Sequence, residues 1–243
     1  MTKQPSRSRG VAGSRGRTAG SAEPLSDGAV AAIYEALAAV IVPRSDLVYD
    51  GPFQLLVAVM LSAHTTDKAV NAATAELFPV ASSPAAIIAL GEAGVHPFIR
   101  RVGLANTKAR NLLGLCRQLI ERHGGHVPDS RDHLEALPGV GRKTASVVLN
   151  IAFGHPEIAV DTHVHRVANR LGIAATRTPE QTEQVLLKRT PAQHRLHAHH
   201  YLILHGRYTC TALRPKCAAC PVARWCPARL VEDLPGRGGR GPG

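Results

Sequence analysis

A chain of 243 residues with 44% hydrophobic content can bury one large core or two smaller ones, which excludes wholesale disorder. Lys plus Arg number 29 against 18 for Asp plus Glu, a formal charge of +11, and a surplus of that size favours a polyanionic partner such as nucleic acid. No apolar run reaches the length of a membrane span and the N-terminus lacks the apolar stretch of a secretory leader, so no membrane partner is expected.

In chain order, residues 1–25 read as a disordered basic tail, with Lys3, Arg7, Arg9, Arg15 and Arg17 and no acid in the first twenty positions. Val30, Ile33, Leu37 and Val40 or Ile41 then keep a helical rhythm after a cap at Ser26 or Asp27. Phe53–Ala63 is almost wholly apolar, as a helix buried on all sides would be. Helices over Asp67–Phe78, Pro84–Leu90, Lys108–Arg122, Arg131–Leu137 and Thr144–Phe153 follow, separated by Pro or Gly. Thr162–Leu171, Pro179–Lys188 and a His-rich stretch from His194 to His205 complete the set, and Thr178-Pro179-Glu180-Gln181 has the form of a capping box. The Gly-rich residues 231–243 read as a second flexible tail. No alternating strand stands out. The expected fold is all-α, with about ten helices and room for two lobes.

The most informative segment is Leu137-Pro138-Gly139-Val140-Gly141-Arg142-Lys143-Thr144, set between two helices. Gly139 and Gly141 permit a tight reversal and leave backbone amides uncovered at the start of the next helix, where they can meet a phosphate. That is the form of a helix-hairpin-helix, which grips a nucleic-acid backbone without reading sequence. Gly139, Gly141, Arg142 and Thr144 are therefore expected at DNA. Lys143 falls in the first turn of the second helix. A free amine there can attack a sugar carbon and form a Schiff base, although a further phosphate-binding lysine is the plainer reading of the hairpin alone. Asp161, in Ala159-Val160-Asp161-Thr162-His163, is by itself a helix N-cap. Aimed into a DNA cleft, its carboxylate would instead stabilise a cationic sugar and handle protons.

Cys210, Cys217, Cys220 and Cys226 are spaced C-x6-C-x2-C-x5-C, which suits a tetrahedral zinc site and a [4Fe–4S] cluster equally. Arg207, Arg214, Lys216 and Arg224 around that loop are candidate phosphate contacts. The remaining Cys116 is expected to be an inert core residue, and His194, His197, His199 and His200 a solvated helix face.

Taken together, these residues resemble the endonuclease III family of helix-hairpin-helix DNA glycosylases. The resemblance runs through Leu61-Ser62-Ala63, Val102-Gly103-Leu104, Leu137 to Asn150, Ala159 to His163, and Leu204 to Cys210 with the other three cysteines, covering about residues 26–230. It implies that Lys143 is the nucleophile, Asp161 the catalytic carboxylate, and the four cysteines the ligands of a [4Fe–4S] cluster. It implies a six-helix barrel over 46–155, a cluster-bearing lobe made of 26–45 and 156–230, and a DNA cleft between them. The expected partner is double-stranded DNA with damaged bases, chiefly oxidised pyrimidines, or abasic sites, bound by a monomer. The expected compartment is the cytoplasm of a bacterium, or the nucleus or mitochondrion of a eukaryote. His64 and Leu104 match positions that fill the gap left by a flipped nucleotide, but the family usually has glutamine where His64 stands. An adenine-removing enzyme of the same superfamily lacks the lysine, and a non-catalytic DNA-binding module needs neither Lys143 nor Asp161.

Overall fold

The computed structural model describes residues 25–228, so the two expected tails lie outside the described residues except for Leu25. Ten α-helices and three short 3-10 turns make up the described chain, with no strand among them, and the all-α expectation holds. Helix α1 (Asp27–Ala38) starts where the Ser26 hydroxyl accepts the Ala29 N–H at 3.2 Å, and it buries Val30, Ile33, Tyr34 and Leu37 along one stripe. Helix α2 (Gly51–Ser62) buries every residue from Leu55 to Leu61, so its uniform apolarity reflects neighbours on all sides. Helix α3 (Asp67–Leu77) is capped by Thr66, whose hydroxyl accepts the Ala69 N–H.

Helix α4 (Pro84–Ile99) runs well past the expected Leu90, because Gly91 takes a φ of 65° that breaks the helix and lets it restart. Helix α5 (Ala105–His123) begins three residues before Lys108, directly from Leu104. The short α6 (Arg131–Glu135) leads through the glycine turn into α7 (Arg142–Phe153). Helices α8 (Thr162–Arg170), α9 (Pro179–Arg189) and α10 (Arg195–Tyr208) follow. At α9 the Thr178 hydroxyl accepts the Gln181 N–H, and the Gln181 side chain accepts the Arg177 N–H, one residue before the cap.

Two hydrophobic cores form. One gathers α2 to α7 around Leu56, Leu77, Ile87, Ile99, Leu112, Leu115, Leu119 and Val148. The other joins α1 to α8, α9 and α10 through Ile33, Leu37, Val167, Leu186 and Leu202, and it also takes in Val222 of the cysteine loop. Each fully buried Leu or Ile contributes about 1.5–3 kcal/mol relative to exposure, so both cores are substantial. Leu55, Val59, Val147 and Ala159 form a smaller cluster on the remaining faces of α2 and α7, carrying α7 up to the segment before α8.

Candidate active site and nucleic-acid interface

The hairpin is fixed from below by Leu134, Leu137 and Val140, all buried. Gly139 has a φ of 78°, and a Cβ there would lie 3.0 Å from Asn111 Cβ and 3.1 Å from Met60 Sδ. Gly141, the N-cap of α7, has an ordinary φ of −99° and open space where a Cβ would project. No side chain caps α7, which leaves its first-turn N–H groups for an acceptor from outside the helix. Two expected DNA contacts are less free than the sequence suggests. The Arg142 guanidinium is bound to Glu183 through Nε–Oε2 at 2.8 Å and Nη2–Oε1 at 3.1 Å, and Thr144 is buried. What the hairpin presents is its backbone together with exposed Lys143 and the Glu183-bound but still exposed Arg142.

Glu183 is itself buried, and Arg131 also approaches it at 3.7 Å while holding Glu157 at 2.5 Å and Ser146 Oγ at 3.0 Å. Two guanidiniums on one buried carboxylate fasten α9 to α6 and α7. A pair of this kind is costly to break, because removing one partner strands a buried charge.

Lys143 lines a small cavity of about 70 Å³ with Ser62, Asp67, Val147, His199, His200 and Arg207. Its charge acts on Asp161, the N-cap of α8. Asp161 Oδ1 accepts the N–H groups of His163 and Val164, both at 2.8 Å, while Oδ2 lies 3.4 Å from His163 Nδ1. Capping therefore occupies one carboxylate oxygen and fixes the direction of the other. Burial would raise this carboxyl, but the Val164 N–H and the charge of Lys143 outweigh it and hold it below the ordinary 3.8. Asp161 is an anion at neutral pH.

The His-rich stretch corrects the sequence reading. His199, His200 and His205 of α10 and His194 at its N-cap are buried, not spread on a solvated face. His199 Nδ1 lies 2.7 Å from the Ala159 carbonyl, so that nitrogen must carry the hydrogen and donate. Burial and the neighbouring His200 push His199 down to about 4, which keeps it neutral. It pins the segment entering Asp161 to α10. His194 Nε2 pairs with Glu35 at 2.9 Å and its ring stacks on Tyr34, joining α10 to α1.

His64 and Leu104 are exposed and are the two non-glycine residues with positive φ, 55° and 62°, among those described. Histidine visits this region more readily than most residues, but a leucine there is unusual and costs about 1–2 kcal/mol. Their loops touch where Thr65 Oγ1 accepts the Gly103 N–H at 3.2 Å.

Cys210, Cys217, Cys220 and Cys226 line one cavity of about 210 Å³ together with Arg170 and His205. None of the four is in a disulfide. Among the described residues, no three His, Cys, Asp or Glu groups converge on a point as ligands of a single metal ion do. Arginines of α8 hold the loop by its carbonyls: Arg170 donates to Thr211 and Ala212 at 2.7 Å each, and Arg166 donates to Gly206 at 2.9 Å and Cys210 at 3.2 Å. Arg170 Nη1 also lies 3.7 Å from Cys210 Sγ, and His205 Nε2 lies 3.7 Å from Cys220 Sγ. Cys116 is buried and pushed up to about 12, an inert thiol as expected. Arg207 is not a free cation, since it bridges Asp46 at 2.8 Å and Asp67 at 2.7 Å. Arg224 lies over the Trp225 ring at 3.7 Å.

Residues 57–192 match the model of the HhH-GPD superfamily base excision DNA repair proteins. Endonuclease III of Escherichia coli (strain K12) is 54% identical over 192 residues, covering 79% of this chain and 91% of that protein. Endonuclease III of Treponema pallidum is 53% identical over 184 residues, covering 76% and 87%. The chain belongs to the endonuclease III family. Solved structures of a trapped endonuclease III–DNA covalent intermediate and of a non-covalent endonuclease III–DNA complex each superpose with a TM-score of 0.80 at 41% identity. Both cover 84% of this chain, and 97% and 96% of their own. A thermostable thymine-DNA glycosylase, at 24% identity and a TM-score of 0.72, shares the fold. The endonuclease III fold is thus present, with Lys143 and Asp161 inside the matched segment 57–192.

Proposed function

We infer that this protein is a base-excision-repair DNA glycosylase with abasic-site lyase activity, acting on double-stranded DNA that carries damaged bases or abasic sites. The observation that carries the reading is the pairing of Lys143, in the first turn of α7, with ionised Asp161 at the cap of α8, within the endonuclease III fold. The Lys143 amine attacks the sugar C1′ and the bond from C1′ to the base breaks. The sugar ring opens to a Schiff base on Nζ, and loss of a C2′ proton expels the 3′ phosphate. Asp161 Oδ2 stabilises the cationic sugar and accepts or returns the protons of these steps. The open amides of the hairpin seat one backbone phosphate. His64 and Leu104 enter the space that the displaced nucleotide leaves. Oxidised pyrimidines are the damaged bases expected from the family.

The four cysteines fit a [4Fe–4S] cluster. Their thiols surround a cavity instead of meeting at a point, and α8 already braces the loop that carries them. The cluster would supply a covalent tie for that loop. The two cores support a barrel lobe over 46–155 and a second lobe of 26–45 with 156–230. The bacterial relatives support action in the cytoplasm, on the nucleoid.

Borohydride trapping on abasic duplex DNA tests the reading. Lys143→Gln should give no covalent complex while still binding the duplex. An undiminished yield of trapped complex would show that another amine forms the Schiff base.

A further inference from the structure

His64 and Leu104 stand on separate loops, and the side chain that joins those loops belongs to neither. Lys108 lies one turn into α5 and is only 5% exposed. Its Nζ lies 2.8 Å from the Leu61 carbonyl, 2.5 Å from the Ala63 carbonyl and 3.0 Å from Thr65 Oγ1. An ammonium has three N–H donors, and these acceptors take all of them. Leu61 and Ala63 carry carbonyls at the C-terminal end of α2, where the helix dipole also favours a cation. Thr65 Oγ1 accepts the Gly103 N–H as well, and a Cβ on Gly103 would stand 3.1 Å from the His64 carbonyl oxygen. The Lys108 backbone N–H meanwhile donates to the Leu104 carbonyl at 3.0 Å.

Lys108 thus binds, with its side chain, two backbone carbonyls before His64 and the Thr65 hydroxyl after it, and binds Leu104 with its main chain. Both residues sit in left-handed backbone that local preference disfavours, so something beyond the local chain must hold them there. We propose that Lys108 is a positioning residue for the His64–Leu104 pair, its one ammonium holding the two loops at the separation at which both side chains enter a vacated nucleotide site. This rests on the gap-filling reading of that pair.

The alternative is that Lys108 merely caps α2 and supports the fold. Lys108→Met keeps the stem and removes the donors, whereas Thr65→Val removes the hydroxyl linking the loops and leaves the α2 carbonyls capped. Each variant is compared in the full-length protein with wild type, His64→Ala and Leu104→Ala. The first readout is the fluorescence of 2-aminopurine placed opposite an abasic-site analogue, which rises as that base unstacks. The second is the ratio of borohydride trapping on duplex abasic DNA to trapping on single-stranded abasic DNA, which has no gap to fill. Lys108→Met and Thr65→Val should reduce both the fluorescence rise and the ratio several-fold, as His64→Ala and Leu104→Ala do. A wild-type fluorescence rise in folded Lys108→Met overturns the proposal. So does an unchanged ratio with both yields reduced, which marks a purely structural lysine. If His64→Ala and Leu104→Ala leave the fluorescence at the wild-type level, the gap-filling reading itself is wrong and the proposal falls with it. If Lys108→Met does not fold, Thr65→Val decides by the same criteria.

Discussion

The two hairpin glycines do different work, and replacing each by alanine separates folding from binding. At Gly139 the backbone is left-handed, which costs an alanine about 1–2 kcal/mol. The new methyl would also press on Asn111 and Met60 at 3.0–3.1 Å, and overpacking of this sort adds about 1–3 kcal/mol. The sum, about 2–5 kcal/mol, corresponds to a fall in Tm of about 4–20 °C for a chain of this size. At Gly141 the φ of −99° suits any residue and the methyl meets nothing, so Gly141→Ala should leave Tm unchanged or raise it by an amount worth about 0.4–1 kcal/mol. That open space is where a phosphate would sit. Losing a hydrogen bond to a charged group costs about 1.5–3 kcal/mol, so Gly141→Ala should weaken binding to abasic-analogue duplex about 10- to 100-fold. Thermal melts and fluorescence-anisotropy titrations of both variants provide the two axes. A Gly141→Ala protein that binds with wild-type affinity would refute the assignment of the hairpin amides as a phosphate seat. A Gly139→Ala protein that melts with wild type would refute the packing account.

Asp161→Asn should retain the cap of α8, since asparagine caps about as well as aspartate, yet lose trapping on abasic DNA. Because the native carboxyl is held below 3.8, the stability its charge adds is full above 3.8 and is lost as pH falls from there through the lower native value, so any advantage of wild type over the asparagine variant in thermal melts should disappear in acid. Replacing Cys217 should remove visible absorption near about 400 nm, the cluster signature expected from the family. Colourless wild-type protein that holds zinc and is fully active would contradict the cluster. Deleting residues 1–20 removes five positive charges and no described helix, so Tm should hold while the salt dependence of DNA binding becomes shallower. An unchanged slope would show that the segment does not touch DNA.

The parts of the site that were legible in the sequence are those set by local chemistry. Gly-Val-Gly between apolar segments predicts the turn, and the caps at Ser26, Asp161 and Thr178 appear where their residue types announce them. Burial of α10 was not legible, because a helix packed on all sides has no polar face to set its phase, and histidines count as polar in any periodicity. Nor could the sequence show that Glu183 would occupy Arg142, 41 positions away, or that Asp46 and Asp67 would occupy Arg207. Leu104 carries no hint of its left-handed backbone, since leucine has no local hydrogen bond with which to favour it. The restart of α4 after Gly91 was hidden by the neighbouring Gly94 and Pro97, which read as punctuation.

Helix α8 behaves as a lever arm. Asp161 sits at one end, and the arginines that grip the cysteine loop lie in its middle and at the other end. Nine residues span about 14 Å, so a tilt of about 4° at the loop would swing the carboxylate by about 1 Å. A displacement of that size at a reacting centre can cost about a hundredfold in rate. A loosened cysteine loop would therefore register as slower chemistry at a distance, before any change in how tightly the protein holds DNA.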